Sequence, residues 1–493
     1  MRKQRTIYFN DARHYYLFVF EPPMRLEDAR VPVDEVAGTA VDTFVYGVSR
    51  ADGLFYPSRI GLMFGDDLRP FQQVHEWRAW ENMQSLIARG LDPLTVLVDR
   101  AHEKGMDFIA SLRMGAYGGM AAEHALNNGG RGFAHPEVRD HQRAILEELA
   151  TSYAVEGVEL DFAASPGGSP FWLRKEDVSE YTPVMTEFLR ETAEIVRNRP
   201  GAPARIGARV YPTEELNLKT GLDVRTWLRE GLVDFVVPML YVDFVLDANM
   251  PVDWLVEAAH ENDISVYGML QPYRSDESRR FDTAGNATAS MMRAAAANFL
   301  ELDVDGLYTW FLPWPLDESG RSLLTQLGDA DLVREADKHY FLRRRCDAAS
   351  EYDYGAFLPL EIASADPGRF HQIPFSIADD PENDRIRRVG LRIGVSNLVS
   401  ADRLEIRLNG APLDSGSCRR SPIRSRDPYA GQLLEFDLED VRPRKGRNVL
   451  EISLQERPPG FEGGIVVEDV DIFVEYGTFP TRYTASIEPP AGS

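Results

Sequence analysis

Up to about residue 340 the chain alternates between short apolar runs and longer stretches whose apolar positions recur three and four residues apart. The short runs fall at 15–20, 43–48, 107–113, 157–162, 205–211, 235–241, 265–270 and 306–311, and β-branched and aromatic residues recur in all of them. Segments at 74–88, 94–104, 136–154, 181–199, 224–230, 252–262 and 287–302 carry the helical period and separate most of the runs. Strands separated by helices predict a parallel sheet. Eight such units across roughly 330 residues predict a closed (β/α)8 TIM barrel with insertions.

The connections are uneven in a directed way. Segments just before strands are short (103–105, 155–157, 230–234, 304–306), whereas those just after strands are long and irregular (51–72, 115–135, 163–177, 272–286). In a barrel of this type the loops after strands build the active face, so the extra length is spent where chemistry is expected.

The pattern changes near Arg343-Arg344-Arg345-Cys346-Asp347. Between 355 and 478 short runs alternate at period two, at 389–395, 403–408, 433–438, 448–454 and 469–475. Asn409-Gly410 and Pro458-Pro459-Gly460 supply turns. This predicts a C-terminal all-β sandwich. The expected organisation is therefore an α/β barrel over 1–345, a β-sandwich accessory domain over 346–480, and a flexible Pro/Ser/Gly-rich tail over 481–493.

Composition narrows the partners. The 493 residues suit two or three domains, and 44% hydrophobic with 27% charged residues fits a globular protein. A formal net charge of −24 opposes nucleic acid and anionic membranes. The two cysteines, Cys346 and Cys418, make neither a disulfide framework nor a metal cluster. No apolar run is long enough to span a membrane. Met1-Arg2-Lys3-Gln4-Arg5 looks like the basic start of a signal peptide, but the polar run Asn10-Asp11-Ala12-Arg13-His14 follows where an apolar stretch is required. The chain as it stands is expected to be cytoplasmic, or secreted if a leader has been trimmed.

The candidate chemistry begins at Gly157-Val158-Glu159-Leu160-Asp161-Phe162. Side chains alternate along a strand, so Glu159 and Asp161 share one face. Two acids on one face of a buried strand are costly unless paired or used. At the C-terminal ends of the predicted strands Arg113, Arg209, Tyr211, Tyr241, Asp243, Gln271, Trp310 and Trp314 converge with them, and Tyr46 lies near the end of the second strand. Paired carboxylates cleave glycosidic bonds, one protonating the leaving oxygen while the other attacks or activates water. Aromatic rings stack on sugar faces, and arginines clamp anionic groups. No histidine or cysteine cluster points to a metal, no Ser-His-Asp arrangement sits at strand ends, and no phosphate-binding glycine loop follows a strand. His135, before Pro136, reads as a helix entrance. No cofactor is expected.

Two stretches resemble the family 10-like glycosyl hydrolases, a set of (β/α)8 barrels. One is His135-Pro136-Glu137-Val138-Arg139 followed by Tyr153-Ala154-Val155-Glu156-Gly157-Val158-Glu159-Leu160-Asp161-Phe162; the other runs from Gly221-Leu222-Asp223-Val224 through Trp227 and Asp234 to Met239-Leu240-Tyr241. A more distant likeness is to family 18 chitinase-type barrels, which carry acids on strand four, Met-x-Tyr-Asp on strand six and Trp on strand eight. The matching residues are Glu159 and Asp161, Met239-Leu240-Tyr241 with Asp243, and Trp310. The full Asp-x-x-Asp-x-Asp-x-Glu run is missing and Asp243 falls one position late, which departs from substrate-assisted hydrolysis. The C-terminal runs resemble galactose-binding-like sandwiches.

The resemblance implies a carbohydrate-active hydrolase. Asp161, Glu159, Asp243 and Tyr241 are the expected catalytic set. Arg113, Arg209, Tyr211, Gln271, Tyr46, Trp310 and Trp314 are expected to bind an oligo- or polysaccharide. Two other readings fit the same residues: a catalytically silent glycan-binding protein, and a lyase using Tyr241 or Tyr211 as base with arginines holding a uronate.

Overall fold

The computed structural model describes residues 4–11, 16–50, 53–115, 120, 122–124, 126, 130–163, 172–240, 244–274, 285–345, 352–423 and 431–477. Eight parallel strands close into a barrel: β1 (Arg5–Asp11), β2 (Thr43–Gly47), β3 (Asp107–Arg113), β4 (Gly157–Asp161), β5 (Arg205–Val210), β6 (Phe235–Pro238), β7 (Ser265–Leu270) and β8 (Gly306–Trp310). Each pairs with the next, and β8 returns to β1. Helices cover the outside: α1 (Tyr16–Val19), α2 (Leu26–Asp34), α3 (Val74–Ile87), α4 (Pro93–Glu103), α5 (Pro136–Ser152), α6 (Val178–Arg197), α7 (Glu214–Lys219), α8 (Val224–Arg229), α9 (Asp253–His260), α10 (Ala289–Glu301), α11 (Glu318–Leu327) and α12 (Ala330–Arg334). Local chemistry starts several of them. Asp92 accepts from the Leu94 and Thr95 N–H groups ahead of α4, and Thr288 accepts from Met291 N–H ahead of α10.

The first strand corrects an expectation. The run at 15–20 does not form it; residues 16–19 are the short helix α1, and β1 lies earlier, at Arg5–Asp11. The basic residue that reads as part of a leader is a barrel-floor residue. Arg5 is buried, with Nη2 2.6 Å from Asp107 Oδ2 on β3 and a further contact to the Thr43 hydroxyl on β2. A short continuous apolar run has no period by which to choose strand over helix.

Pairing register fixes which side chains face the axis. Glu159 on β4 stands level with Ser111 on β3 and Gly207 on β5, and Asp161 stands level with Arg113 and Arg209. Following the same rows around the barrel brings Phe9, Asp11, Phe235, Tyr267, Tyr308 and Trp310 to the inner face as well. Gly207 leaves room for a neighbour: a Cβ there would lie 2.0 Å from Phe235 Cζ. On the outer face Phe162 packs against Trp172 and Trp227, with ring centroids 5.4 and 5.6 Å away.

The C-terminal part is a two-sheet β-sandwich. Its strands are β9 (Lys338–Phe341), β10 (Leu360–Ile362), β11 (His371–Ile377), β12 (Ile386–Ser396), β13 (Arg403–Leu408), β14 (Ala411–Pro412), β15 (Arg419–Pro422), β16 (Gly431–Asp437), β17 (Gly446–Glu456) and β18 (Ile465–Tyr476). One sheet runs β9-β18-β12-β16-β15 with β10 also on β18, and the other runs β11-β17-β13-β14. β9 belongs to the sandwich although it precedes residue 345. Alternate residues of β12, including Leu391, Ile393 and Val395, fill the space between the sheets.

Barrel and sandwich are tied by polar contacts. Asn298 of α10 donates to Ala248 O (2.7 Å) and to Ser376 O on β11 (3.0 Å), while Ser376 N–H donates to Asn249 Oδ1 (2.7 Å). Arg274, after β7, lies 3.5 Å from Asp471 on β18, and Lys445 pairs with Glu301 at 2.7 Å. Among the described residues no helix is long and apolar enough to cross a membrane.

Candidate active site

The inward rows of β3, β4, β5 and β8 assemble a buried charge network. Glu159 is fully buried, and its Oε1 accepts from Ser111 Oγ (2.7 Å), Arg209 Nε (2.8 Å) and Tyr308 Oη (3.1 Å). Arg209 Nη2 donates to Ser111 Oγ at 2.7 Å, so the serine hydroxyl relays between guanidinium and carboxylate. Burial pushes the Glu159 carboxyl up; Arg209 pulls it back, and the neighbouring Asp161 adds to the rise. Burial disfavours the Arg209 cation, and Asp161 and Glu159 more than reverse this, leaving it above the ordinary arginine range.

Asp161 ends β4, one inward position nearer the mouth than Glu159. Its Oδ2 lies 3.3 Å from Arg209 Nη1, an ion pair looser than that to Glu159 and without hydrogen-bond geometry. Arg113, level with Asp161 on β3, pairs with Asp11 at the end of β1 (2.7 Å). Three carboxylates from β1 and β4 thus converge on two guanidinium groups from β3 and β5. Phe9, Trp310 and Tyr308 wall the Arg209 guanidinium, with ring centroids 4.2, 4.6 and 5.7 Å from its central carbon.

The expected residues separate into groups. Asp161, Glu159, Arg209 and Arg113 are brought together as described. Tyr241 and Asp243 lie outside the described residues. Tyr46 is corrected: it occupies an outward position of β2, fully buried, with its hydroxyl 2.8 Å from that of Tyr16 and its ring near Phe108. Trp310 is corrected in accessibility. It is inward but fully buried, its ring 4.2 Å from Phe9 and 5.3 Å from Phe244, so its faces are taken by protein. Glu159 is also sealed from direct contact with a substrate.

Tyr211 is fully buried and rigidly placed. Asn217 accepts from its N–H and donates to its carbonyl, both at 2.8 Å. Burial pushes its phenol up, and the fields of Tyr352 and Asp161 add to this, which disfavours the base role considered for it. Gln271 is buried and donates to Leu240 O (2.9 Å), fixing the residue just before Tyr241. Trp314 is half-buried; Phe20 meets it edge-on at 6.1 Å, and its indole N–H donates to the Glu35 carboxylate.

Sequence reasoning missed Ser111, Asp11 and Phe9. Their signal lay in parity: each shares its row with a residue already singled out once register is known. It also missed a group formed by His124, His135 and Glu137, whose ligand atoms lie within 4.8 Å of one another. A cavity of about 650 Å³ lies between barrel and sandwich, lined in part by Asn249, Asn298, Phe357 and Arg447, and it does not involve the carboxylates. Cys418 carries a free thiol, and Cys346 is outside the described residues.

No protein-family model and no curated protein sequence matches this chain. Solved structures overlap it loosely. A bacterial fucosidase bound to an inhibitor shares 10% identity over 97% of this chain and 94% of its own, with a TM-score of 0.39. An alpha-L-fucosidase from Vibrio sp. strain EJY3 shares 12% identity over 95% and 96%, also at 0.39. The C-terminal domain of a putative chitinase from Desulfitobacterium hafniense DCB-2 shares 12% identity over 67% of this chain and all of its own, at 0.40. Overlap this loose fixes neither an activity nor a set of site residues.

Proposed function

We propose that this chain is a carbohydrate-active hydrolase that cleaves glycosidic bonds at the C-terminal mouth of the barrel, with Asp161 as a catalytic carboxylate. The observation that carries the reading is the position of Asp161: inward, last on β4, and beside Arg209 within a group of three carboxylates and two guanidiniums. Charge gathered inside a protein is expensive, and its concentration at the functional end of a barrel is what acid–base chemistry requires. Glu159 becomes a positioning residue: it holds the guanidinium from below, and Arg209 in turn presents a positive charge to Asp161.

Hydrolysis needs a second acid. Asp243, five residues beyond the end of β6, is the proposed partner, with Tyr241 orienting it or stabilising charge. Gln271 holds Leu240, the residue that precedes Tyr241 in the chain. Arg113 and the half-buried Trp314 are the proposed contacts to an oligo- or polysaccharide. The sandwich is proposed to brace the barrel through Asn298 and Arg274.

A second reading, glycan binding without catalysis, is favoured by one observation: Asp161 is only 2% exposed. A screen of the full chain against an oligo- and polysaccharide library separates the two. Hydrolysis predicts new reducing ends without near-ultraviolet absorbance from a new double bond. Retention of glycans with no product released would overturn the hydrolase in favour of the binding protein, and unsaturated products would overturn it in favour of a lyase.

A further inference from the structure

We propose that His124, His135 and Glu137 form a binding site for a divalent transition-metal ion, with Zn²⁺ the best match. One ligand atom from each residue lies within 4.8 Å of the others, a spread that a central ion can close. His124 ends the short 3-10 turn Ala122–His124, His135 directly precedes α5, and Glu137 lies in its first turn. The two imidazoles meet edge-to-face with centroids 4.9 Å apart.

One nitrogen of each histidine is poorly served by protein. His124 Nδ1 is buried without a hydrogen-bond partner, an arrangement that is costly for a polar atom. His135 Nε2 accepts the Arg131 N–H at 3.4 Å, the long limit of such a contact, and a cation would take that lone pair at little loss. The nearby Arg131 guanidinium is engaged by Asp177 at 2.7 and 3.0 Å, which offsets its repulsion of an ion. Gly130 lets the chain press against the turn that carries His124, because a Cβ there would lie 2.2 Å from Glu123 O.

The donor set selects the ion. Two imidazoles and one carboxylate suit Zn²⁺ and its transition-metal neighbours, whereas Ca²⁺ and Mg²⁺ want oxygen shells. Three protein ligands leave a coordination position for water. Glu137 is exposed and both histidines are partly exposed, so the ion has a path from solvent. The site shares no residue with the Glu159–Arg209–Asp161 network. Its ion would tie the turn that follows β3 to the start of α5.

The test uses the full chain, free of any histidine tag and stripped with chelator. Equilibrium dialysis against Zn²⁺ should show one ion per chain, and Co²⁺ should give a visible d–d spectrum. His124→Ala and His135→Ala should each weaken binding by at least about 100-fold, since even outer partners of metal ligands matter on that scale. The exposed Glu137→Gln should weaken it measurably with an unchanged circular dichroism spectrum. Zn²⁺ uptake in the double histidine variant equal to that of the natural chain would overturn the site, as would unaltered affinity in Glu137→Gln together with no Co²⁺ spectrum.

Discussion

Arg209 and Glu159 form a fully buried ion pair inside the barrel, with Nε donating to Oε1 over 2.8 Å. Removing one partner of such a pair leaves an uncompensated charge in low dielectric. Arg209→Met should therefore destabilise the barrel by about 3–5 kcal/mol. Glu159→Gln should cost much less, because Asp161 still faces the Arg209 cation and an amide oxygen can still accept from Ser111, Arg209 and Tyr308. Denaturant unfolding followed by tryptophan fluorescence checks the ordering; equal losses would contradict it.

Tyr46 faces the helical layer, so its hydroxyl serves stability. Tyr46→Phe removes the 2.8 Å contact with Tyr16 and should cost about 1 kcal/mol. On any substrate the chain turns over, KM and kcat should be unchanged. A raised KM with unaltered stability would return Tyr46 to the substrate site.

Glu35 gives a pH signature. Burial raises its carboxyl from the ordinary 4.5 to about 7, with the Leu316 backbone and the Trp314 indole pulling partly back. Between those values the folded chain holds a proton that the unfolded chain lacks, so stability falls as pH rises. This contribution is fully present below about 4.5 and lost once pH passes about 7. Glu35→Gln should flatten that part of a plot of Tm against pH; an unchanged slope would contradict the assignment.

If the sandwich braces the barrel, a chain ending at residue 336 should unfold at lower temperature or aggregate, because it loses the partners of Asn298 and Arg274. A monomeric barrel with the Tm of the full chain would show that the sandwich serves another purpose.

Much of the barrel was legible because strands two to eight are short apolar runs set between helical periods. The first strand was not, since Arg5 and Asp11 end it with charge while the more apolar residues 16–19 coil into a helix. Parallel strands buried on both faces show no alternation, so Tyr46 gave no sign of pointing outward. Glu159 and Asp161 stood out because two acids in such a run break the pattern. Their depth did not: only register and the reach of Arg209 show that both are buried, with Asp161 one inward position nearer the mouth than Glu159. His124 and His135 lie eleven positions apart, a spacing that reads as no motif until the turn and the helix start are folded together.

The most direct test of the account is turnover by Asp161→Asn on a glycan that the natural chain hydrolyses. The exchange keeps the side chain's shape, so the melting profile should stay close to that of the natural chain. Activity should fall by about three orders of magnitude or more, on the scale expected for loss of a catalytic acid or base. Turnover equal to that of the natural chain would contradict the assignment of Asp161.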